Sequence, residues 1–574
     1  MFNCPHPRSR ALSAALAVVA LLAALPARAQ TDHTAWSRTQ TIYEVNVRQY
    51  TAEGTLRAFA THLPRLDSLG ATTLWLMPIH PIGRQNRLGS LGSPYAVRDY
   101  RAVNPDLGTL ADVKALVDSA HARGMHVLLD WVPNHTAWDN GLTSAHPDWY
   151  VRDGSGRFIA PPGTNWSDVI ELDYARPELR RHMIDAMRFW VTETGIDGFR
   201  FDAAAMVPLD FWRQASADLL ALRPDLFLLA EDGGTQWASA GLHASFGWSL
   251  YGFGGGLLPG LARGTKSAYD LQSFVATEAA TVPPNSYRLY FTSNHDENSW
   301  QGTPTELFGA AAPAFAVLTA TLGGMPLVYG GQEAGLDRRL AFFDKDRIAW
   351  RAHPNTRLYE RLLHLKARNA AMWNGTAGGP VQRLASSNDS RVFAFAREKN
   401  GARVVVAVNL SSEPQRATLG TGDLASPYVG TYRDVLSGET LAESATVTLR
   451  VGAELVLPAW GSLVYEATGP ATAADASAVQ TAAAALDAVA PNPVRADAQV
   501  RYTLAAPATV RLVVTDALGR EVRRLDDGPR SAGPHAVVLD GTGLADGVYL
   551  ITLSANASSG AAPVRLTRRF VRIR

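Results

Sequence analysis

Ile196-Asp197-Gly198-Phe199-Arg200-Phe201-Asp202, a stretch from Pro208 to Leu222, and then Leu226-Phe227-Leu228-Leu229-Ala230-Glu231 form the passage that decides how this chain folds. The two outer runs are short and apolar on both faces, as strands buried on both sides must be. The stretch between them repeats apolar residues at helical spacing and opens with a proline suited to a first turn. Strand, crossover helix and strand make one parallel βα repeat, and both strands end in a carboxylate.

The same alternation extends from about Thr41 to Ala370. Further strands are expected at Ile42–Val47, Thr72–Leu76, His126–Asp130, Leu289–Thr292 and Met325–Tyr329, with helices at Leu110–Arg123 and Pro177–Thr194. An eighth strand around Ala244-Ser245-Phe246-Gly247-Trp248 would close the set. The expected fold class is therefore α/β, a (β/α)8 TIM barrel over residues 30–370. One connection, 136–173, carries Trp138, Trp149, Tyr150 and Trp166 among several Gly and Pro. It reads as a short inserted loop domain after strand 3, on the face where barrels keep their active sites.

Beyond residue 371 the apolar period changes to two, as in Arg391-Val392-Phe393-Ala394-Phe395 and Val404-Val405-Val406-Ala407-Val408, joined by the turn signal Lys399-Asn400-Gly401. Residues 371–467 are expected to form a small antiparallel β-sandwich, 468–490 an Ala/Thr-rich linker, and 491–574 a second antiparallel β-sandwich.

At the other end, Arg8 and Arg10 precede an apolar run to Leu25 and the small-residue site Ala27-Arg28-Ala29, the pattern of a signal peptide over 1–29. That run is shorter than the roughly 20 residues a spanning helix needs, so a secreted or cell-surface protein without stable membrane insertion is expected. Its only cysteine, Cys4, lies in this leader, which excludes disulfides and thiolate-bound zinc from the mature chain. Lys+Arg 54 against Asp+Glu 53 gives no broad field for nucleic acid or an anionic surface, and favours an uncharged partner.

Barrels place catalytic groups at the C-terminal ends of strands, and three acids stand there: Asp202, Glu231 and Asp296, the last after Thr292-Ser293-Asn294-His295. Two carboxyls on neighbouring strands are what cleavage of a glycosidic bond requires, one to attack the anomeric carbon and one to protonate the leaving oxygen. Arg200, two residues before Asp202 and on the same strand face, is expected to hold Asp202 ionised as the nucleophile. Glu231, leaving a strongly apolar strand, is expected to be protonated by desolvation as the general acid. His121, His126 and His135 raise the alternative of a zinc hydrolase, but the first two fall at the opposite end of the barrel.

Four short segments resemble the signatures of glycoside hydrolase family 13, the α-amylase family: Asp130-Trp131-Val132-Pro133-Asn134-His135, Gly198-Phe199-Arg200-Phe201-Asp202, Leu229-Ala230-Glu231 and Ser293-Asn294-His295-Asp296. The resemblance covers Thr41 to about Ala467. It implies a retaining hydrolase of α-1,4-glucosidic bonds in starch-like glucans or maltooligosaccharides, with Asp202 as nucleophile, Glu231 as acid/base and Asp296 as transition-state stabiliser. It further implies sugar contacts from Tyr95, His135, Arg200 and His295, and a calcium ion (Ca2+) on Asn134 and Asp173, with Asp168 as a possible helper. Ala203-Ala204-Ala205-Met206 departs from the family's Lys-His after the nucleophile, which keeps open a cyclomaltodextrinase- or neopullulanase-like or α-glucosyl-transferring enzyme. A non-catalytic glucan-binding protein would have lost an acid, and none is lost. Trp138, Trp149, Trp166 and Trp300 are candidate sugar platforms. The terminal sandwich, in Pro491-Asn492-Pro493, Val514–Arg520 and Gly547-Val548-Tyr549, resembles the sorting domain of type IX secretion substrates and implies the outer-membrane secretion machinery as partner; its rival is a starch-binding module.

Overall fold

The computed structural model describes residues 34–573, apart from 253–255, 425–427, 470–483, 488, 505, 517–519 and 558–563. The expected leader and most of the expected linker lie outside the described residues. The chain divides into two compact units at Pro380/Val381, with Ser267–Tyr269 belonging to the second.

Eight strands close the barrel of the first unit: β1 Ile42–Val45, β2 Thr73–Leu76, β3 His126–Trp131, β4 Gly198–Phe201, β5 Phe227–Ala230, β6 Ala244–Phe246, β7 Tyr287–Tyr290 and β8 Met325–Tyr329. Each pairs in parallel with its neighbours in the chain, and β8 pairs with β1. The expected eighth strand is β6, only three residues long.

Its staves are buried almost throughout, which is why they read as unbroken apolar runs. Gly198 is required where β4 meets β5, because a Cβ there would sit 1.8 Å from the Phe227 carbonyl oxygen. β1 stops earlier than expected because Val47 begins a short helix, Val47–Tyr50. β7 lies two residues earlier than expected: its last pairing sets Tyr290 opposite Pro326, which has no N–H to extend the ladder.

Helices return the chain outside the barrel. Helix α1, Leu110–His121, starts on a reciprocal capping box between Thr109 and Asp112. Helix α2, Pro177–Thr194, begins on its proline and ends on left-handed Gly195. In α3, Leu209–Leu222, Pro208 stands one residue earlier than expected, at the N-cap. Among the described residues no helix is long and apolar enough to cross a membrane.

The long connection after β3 folds back on itself, His135–Ala137 pairing antiparallel with Val169–Glu171. Ala137 and Val169 join Ala96 and Ile82 in a small core of their own. The barrel unit also reaches past residue 370, because Ala371 and Met372 are buried and the Asn374 N–H donates to the Arg38 carbonyl at 2.7 Å.

Within the second unit, one sandwich sets a six-stranded sheet, from Gln382–Leu384 to Thr446–Leu449, against the pair Gln415–Thr418 and Glu454–Leu457. Its first hairpin turns at Asn400 and Gly401, both with positive φ, as the sequence signal requires. The last sandwich packs a three-stranded sheet against four strands ending in Val564–Arg572. Its outer strand is Ala484–Leu486, inside the stretch expected as linker. Ala484 and Leu486 are buried in its core, and the period-two signal was hidden in an alanine-rich run.

Candidate active site

The C-terminal ends of β3, β4 and β5 converge on one guanidinium. Arg200, on β4 and fully buried, places Nη1 2.9 Å from an oxygen of Asp130 and 2.9 Å from one of Asp202. Its Nη2 lies 2.6 Å from Glu231 Oε1. Burying such a cation costs several kcal/mol, about what three facing carboxylates can return. Its Cζ also stands over the rings of Trp75 at 4.9 Å, Phe246 at 5.7 Å and Tyr95 at 5.8 Å, a lining that suits a planar, weakly hydrated cation. Asp202 and Glu231 thus share one guanidinium and leave neighbouring staves side by side.

A second chain of contacts crosses from β1 to β7. The Tyr95 hydroxyl lies 3.0 Å from Asp130 Oδ2 and 2.7 Å from His295 Nε2, and its ring stacks on that of His295 at 5.2 Å. His295 Nδ1 meets Glu44 Oε1 at 2.5 Å, and Nε2 is 3.4 Å from Asp296 Oδ2. Asp296 is the most open of the three acids, its side chain 39% exposed.

Burial pushes both carboxyls up: Asp202 by desolvation that outweighs Arg200, Glu231 by desolvation and the nearby Asp296. The expectation that Arg200 would single out Asp202 is corrected here, because the guanidinium forks to both acids. Glu231 is also less apolar in surroundings than its strand suggests. Ala203, held left-handed at φ 42°, turns its N–H to Glu231 Oε2 at 2.7 Å. Two acids around one cation, Asp202 buried and Glu231 mostly so, each raised by desolvation, favour a site that keeps a proton between them. His295 is raised against burial, up to about 9, because Asp296 and Glu44 outweigh the desolvation, so it is an imidazolium at neutral pH.

His135 is buried beside Trp166, ring centroids 5.3 Å apart, and burial lowers it to about 4, so it is neutral. Of the four candidate platforms, Trp149 is buried against His146 and Trp138 ties its indole N–H to the Ser167 carbonyl. Trp166 and Trp300 are open, 36% and 50% exposed. Trp300 lies 5.1 Å from Phe342, whose ring is nearly parallel to that of Tyr95 at 6.1 Å. His121 bonds to Asp197 and His126 stacks on Trp36, both apart from this cluster.

The expected calcium ligands have protein partners of their own, except for one oxygen of Asp168. Asp173 accepts from the Ala175 N–H at 3.0 Å and is ion-paired with Arg176 at 3.2 Å. The Asn134 amide lies against His135 Nδ1 at 3.4 Å, and Asp168 Oδ2 is buried without a partner. Among the described residues no three His, Cys, Asp or Glu side chains gather as a metal-binding group, and calcium also accepts amide and backbone oxygens.

Glu44, Trp75 and Asp130 were not singled out by the sequence reasoning. Trp75 donates its indole N–H to Asp130 Oδ2 at 3.0 Å. The available signal was a carboxylate standing inside a strand otherwise apolar on both faces, as in Ile42-Tyr43-Glu44-Val45 and Val127-Leu128-Leu129-Asp130.

Residues 27–218 match the model for the α-amylase catalytic domain, 385–468 that for the α-amylase C-terminal all-beta domain, and 494–559 that for the FlgD Ig-like domain. The α-amylase MalA of Haloarcula japonica is 29% identical, over 74% of this chain and 63% of its own. An α-1,4-glucan:maltose-1-phosphate maltosyltransferase of Rhodospirillum rubrum is 29% identical, over 70% of this chain and 62% of its own. The chain thus spans less than two thirds of the length of these two relatives. Among solved structures, the maltogenic α-amylase AmyB of Thermotoga neapolitana superposes with a TM-score of 0.66 at 28% identity, covering 75% of this chain and 98% of that one.

Proposed function

We propose, from the premise that the barrel is an α-amylase catalytic domain of glycoside hydrolase family 13, that this chain is a retaining hydrolase of α-1,4-glucosidic bonds in starch-like glucans or maltooligosaccharides. The observation that carries it is the convergence of Asp202 and Glu231 on one buried guanidinium, with Asp296 and an imidazolium beside them. In the reaction, Glu231 gives its proton to the glycosidic oxygen while Asp202 attacks the anomeric carbon, forming a glycosyl ester. Water then enters, Glu231 takes its proton, and the sugar leaves with its anomeric configuration retained. The open Asp296, beside His295, holds sugar hydroxyls as positive charge develops on the ring, and Tyr95 covers its apolar face. Asp202→Asn and Glu231→Gln are expected to lose at least about 10³-fold in kcat on maltooligosaccharides, with an α-anomeric product from the parent enzyme. Near-normal turnover in either variant, or a β-anomeric product, refutes the assignment.

A second reading is favoured by one observation. Ala203-Ala204-Ala205-Met206 offers no lysine contact on the reducing side, so short, cyclic or acceptor sugars are admitted as readily as long chains. Incubation with starch, pullulan, cyclodextrin and maltose, followed by product length, separates endo-hydrolysis from cyclodextrin cleavage and transfer.

The finer reading of the terminal domain is a sorting signal that delivers the enzyme through outer-membrane secretion machinery to the cell surface or medium. It is supported by a small sandwich with its own core that follows an Ala/Thr-rich stretch. A chain ending near Ala467 should keep catalysis and fail to leave the cell; loss of binding to insoluble starch instead would make the domain a starch-binding module. The expected leader belongs to the same proposal. Calcium held by Asn134 and Asp173, with Asp168 as helper, belongs to the proposal too, and the partnerless Asp168 oxygen supports it; chelator treatment that releases no metal and leaves the melting temperature unchanged would remove it.

A further inference from the structure

We propose that Glu44 is a positioning residue that orders the protons of the cleavage subsite, its carboxylate holding the Nδ1 proton of His295 so that Nε2 always faces Tyr95 and Asp296 as a donor. The inference rests on the hydrolase reading only for its consequence in catalysis; the proton order is a property of the geometry.

Glu44 stands on β1 with no exposed surface, between Tyr43 and Val45, where a carboxylate has no business unless a partner offsets the loss of water. One oxygen, Oε1, meets both the backbone N–H of His295 at 3.3 Å and its Nδ1 at 2.5 Å. The two contacts fix the ring against the strand and put a proton on Nδ1.

The other ring nitrogen is decided by counting protons. Tyr95 has one hydroxyl proton and two neighbours, Asp130 Oδ2 at 3.0 Å and His295 Nε2 at 2.7 Å. Asp130 already accepts from Arg200 and from the Trp75 indole, so its oxygens act as acceptors and the tyrosine proton points to it. Nε2 must then supply its own proton to the tyrosine oxygen. The order runs from His295 through Tyr95 to Asp130 at one end, and from His295 to Glu44 at the other. Arg200 and Tyr329 face Glu44; Asp296, Tyr95, Arg200, Asp130, Glu231 and Glu297 face His295.

Take away the charge on Glu44, and His295 has no carboxylate at Nδ1. The ring can then fall to a neutral tautomer with its lone pair on Nε2, the Tyr95 proton can turn toward it, and the subsite loses a donor. Asp296 remains, but it is open to water, where its hold is weaker.

Glu44→Gln in the full chain, which keeps size and can still accept from Nδ1, tests this through kcat/KM against pH and through ring nitrogen NMR, the His295 signal assigned by its loss in His295→Asn. The alkaline limb should move down by about two units, so that activity falls about tenfold at pH 8 but less than about threefold at pH 6. Glu44→Asp keeps the charge and should restore the limb even if turnover is low. A variant with the parent pH profile and a ring still cationic at pH 8 overturns the proposal, as does a profile lowered equally at every pH. Should the parent cleave no α-glucan while its His295 is cationic and becomes neutral in Glu44→Gln, the hydrolase reading fails and the proton order stands.

Discussion

Replacing Arg200 should do more damage than replacing any residue that touches a single acid, and in a way that depends on what replaces it. The guanidinium makes close ionic contacts with Asp130, Asp202 and Glu231 and is enclosed by Trp75, Tyr95 and Phe246. Arg200→Lys keeps a charge but reaches one carboxylate at a time. Losing charge-assisted contacts worth about 1.5–3 kcal/mol each leaves a deficit of about 3 kcal/mol, or about 10²-fold in kcat/KM. Arg200→Met leaves the buried carboxylates without their cation, at a cost of about 3–5 kcal/mol in stability unless they take up protons. Protonation is the easier course, since Arg200 is what holds Asp202 and Glu231 down against burial. The sign follows: carboxyls whose pKa rises need a higher pH to ionise, so the acid limb of kcat/KM moves to higher pH in Arg200→Lys, and Arg200→Met loses measurable activity. The assay is kcat/KM on a chromogenic maltooligosaccharide across pH, with urea unfolding of the same samples. An Arg200→Met enzyme retaining more than about a tenth of parental kcat/KM, or an Arg200→Lys acid limb that stays in place, would refute the idea that one cation organises the acids.

Three further outcomes are expected. His295, raised from 6.5 to about 9, stabilises the folded barrel by about 3 kcal/mol at about 1.36 kcal/mol per unit, an effect complete below pH 6.5 and lost as pH rises through 9; urea unfolding at pH 6 and pH 9.5 should differ by less in His295→Asn than in the parent. Gly198→Ala should cost more than about 3 kcal/mol or prevent soluble expression, because its methyl would meet the Phe227 carbonyl at 1.8 Å; normal melting would contradict the tight β4–β5 approach. Trp300→Ala removes an exposed ring beside Phe342 and should raise KM for long maltooligosaccharides by up to about tenfold while leaving melting within a degree or two; an unchanged KM excludes it as a platform.

What the sequence carried by itself was periodic or covalent. Apolar runs buried on both faces, a crossover helix between them and a carboxylate at the end of each strand follow from local pattern, and they suffice for a parallel barrel and its three acids. Even the turn at Asn400-Gly401 is local, since it depends only on which residues accept positive φ. The short stave β6 and the strand Ala484–Leu486 are harder, because three residues carry little period and alanine little contrast.

What the tertiary structure alone decided was which charges share a proton or a partner. Arg200 lies two residues from Asp202 in the chain, so sequence proximity assigned the cation to that acid. The fold brings Asp130 and Glu231 to it from adjacent strands as well. Glu44 and His295 are 251 positions apart and meet only because β1 lies two strands from β7 around the closed barrel. Strand period tells which way a side chain points, but electrostatic energy depends on distance and on the water excluded, and both exist only once the barrel has closed.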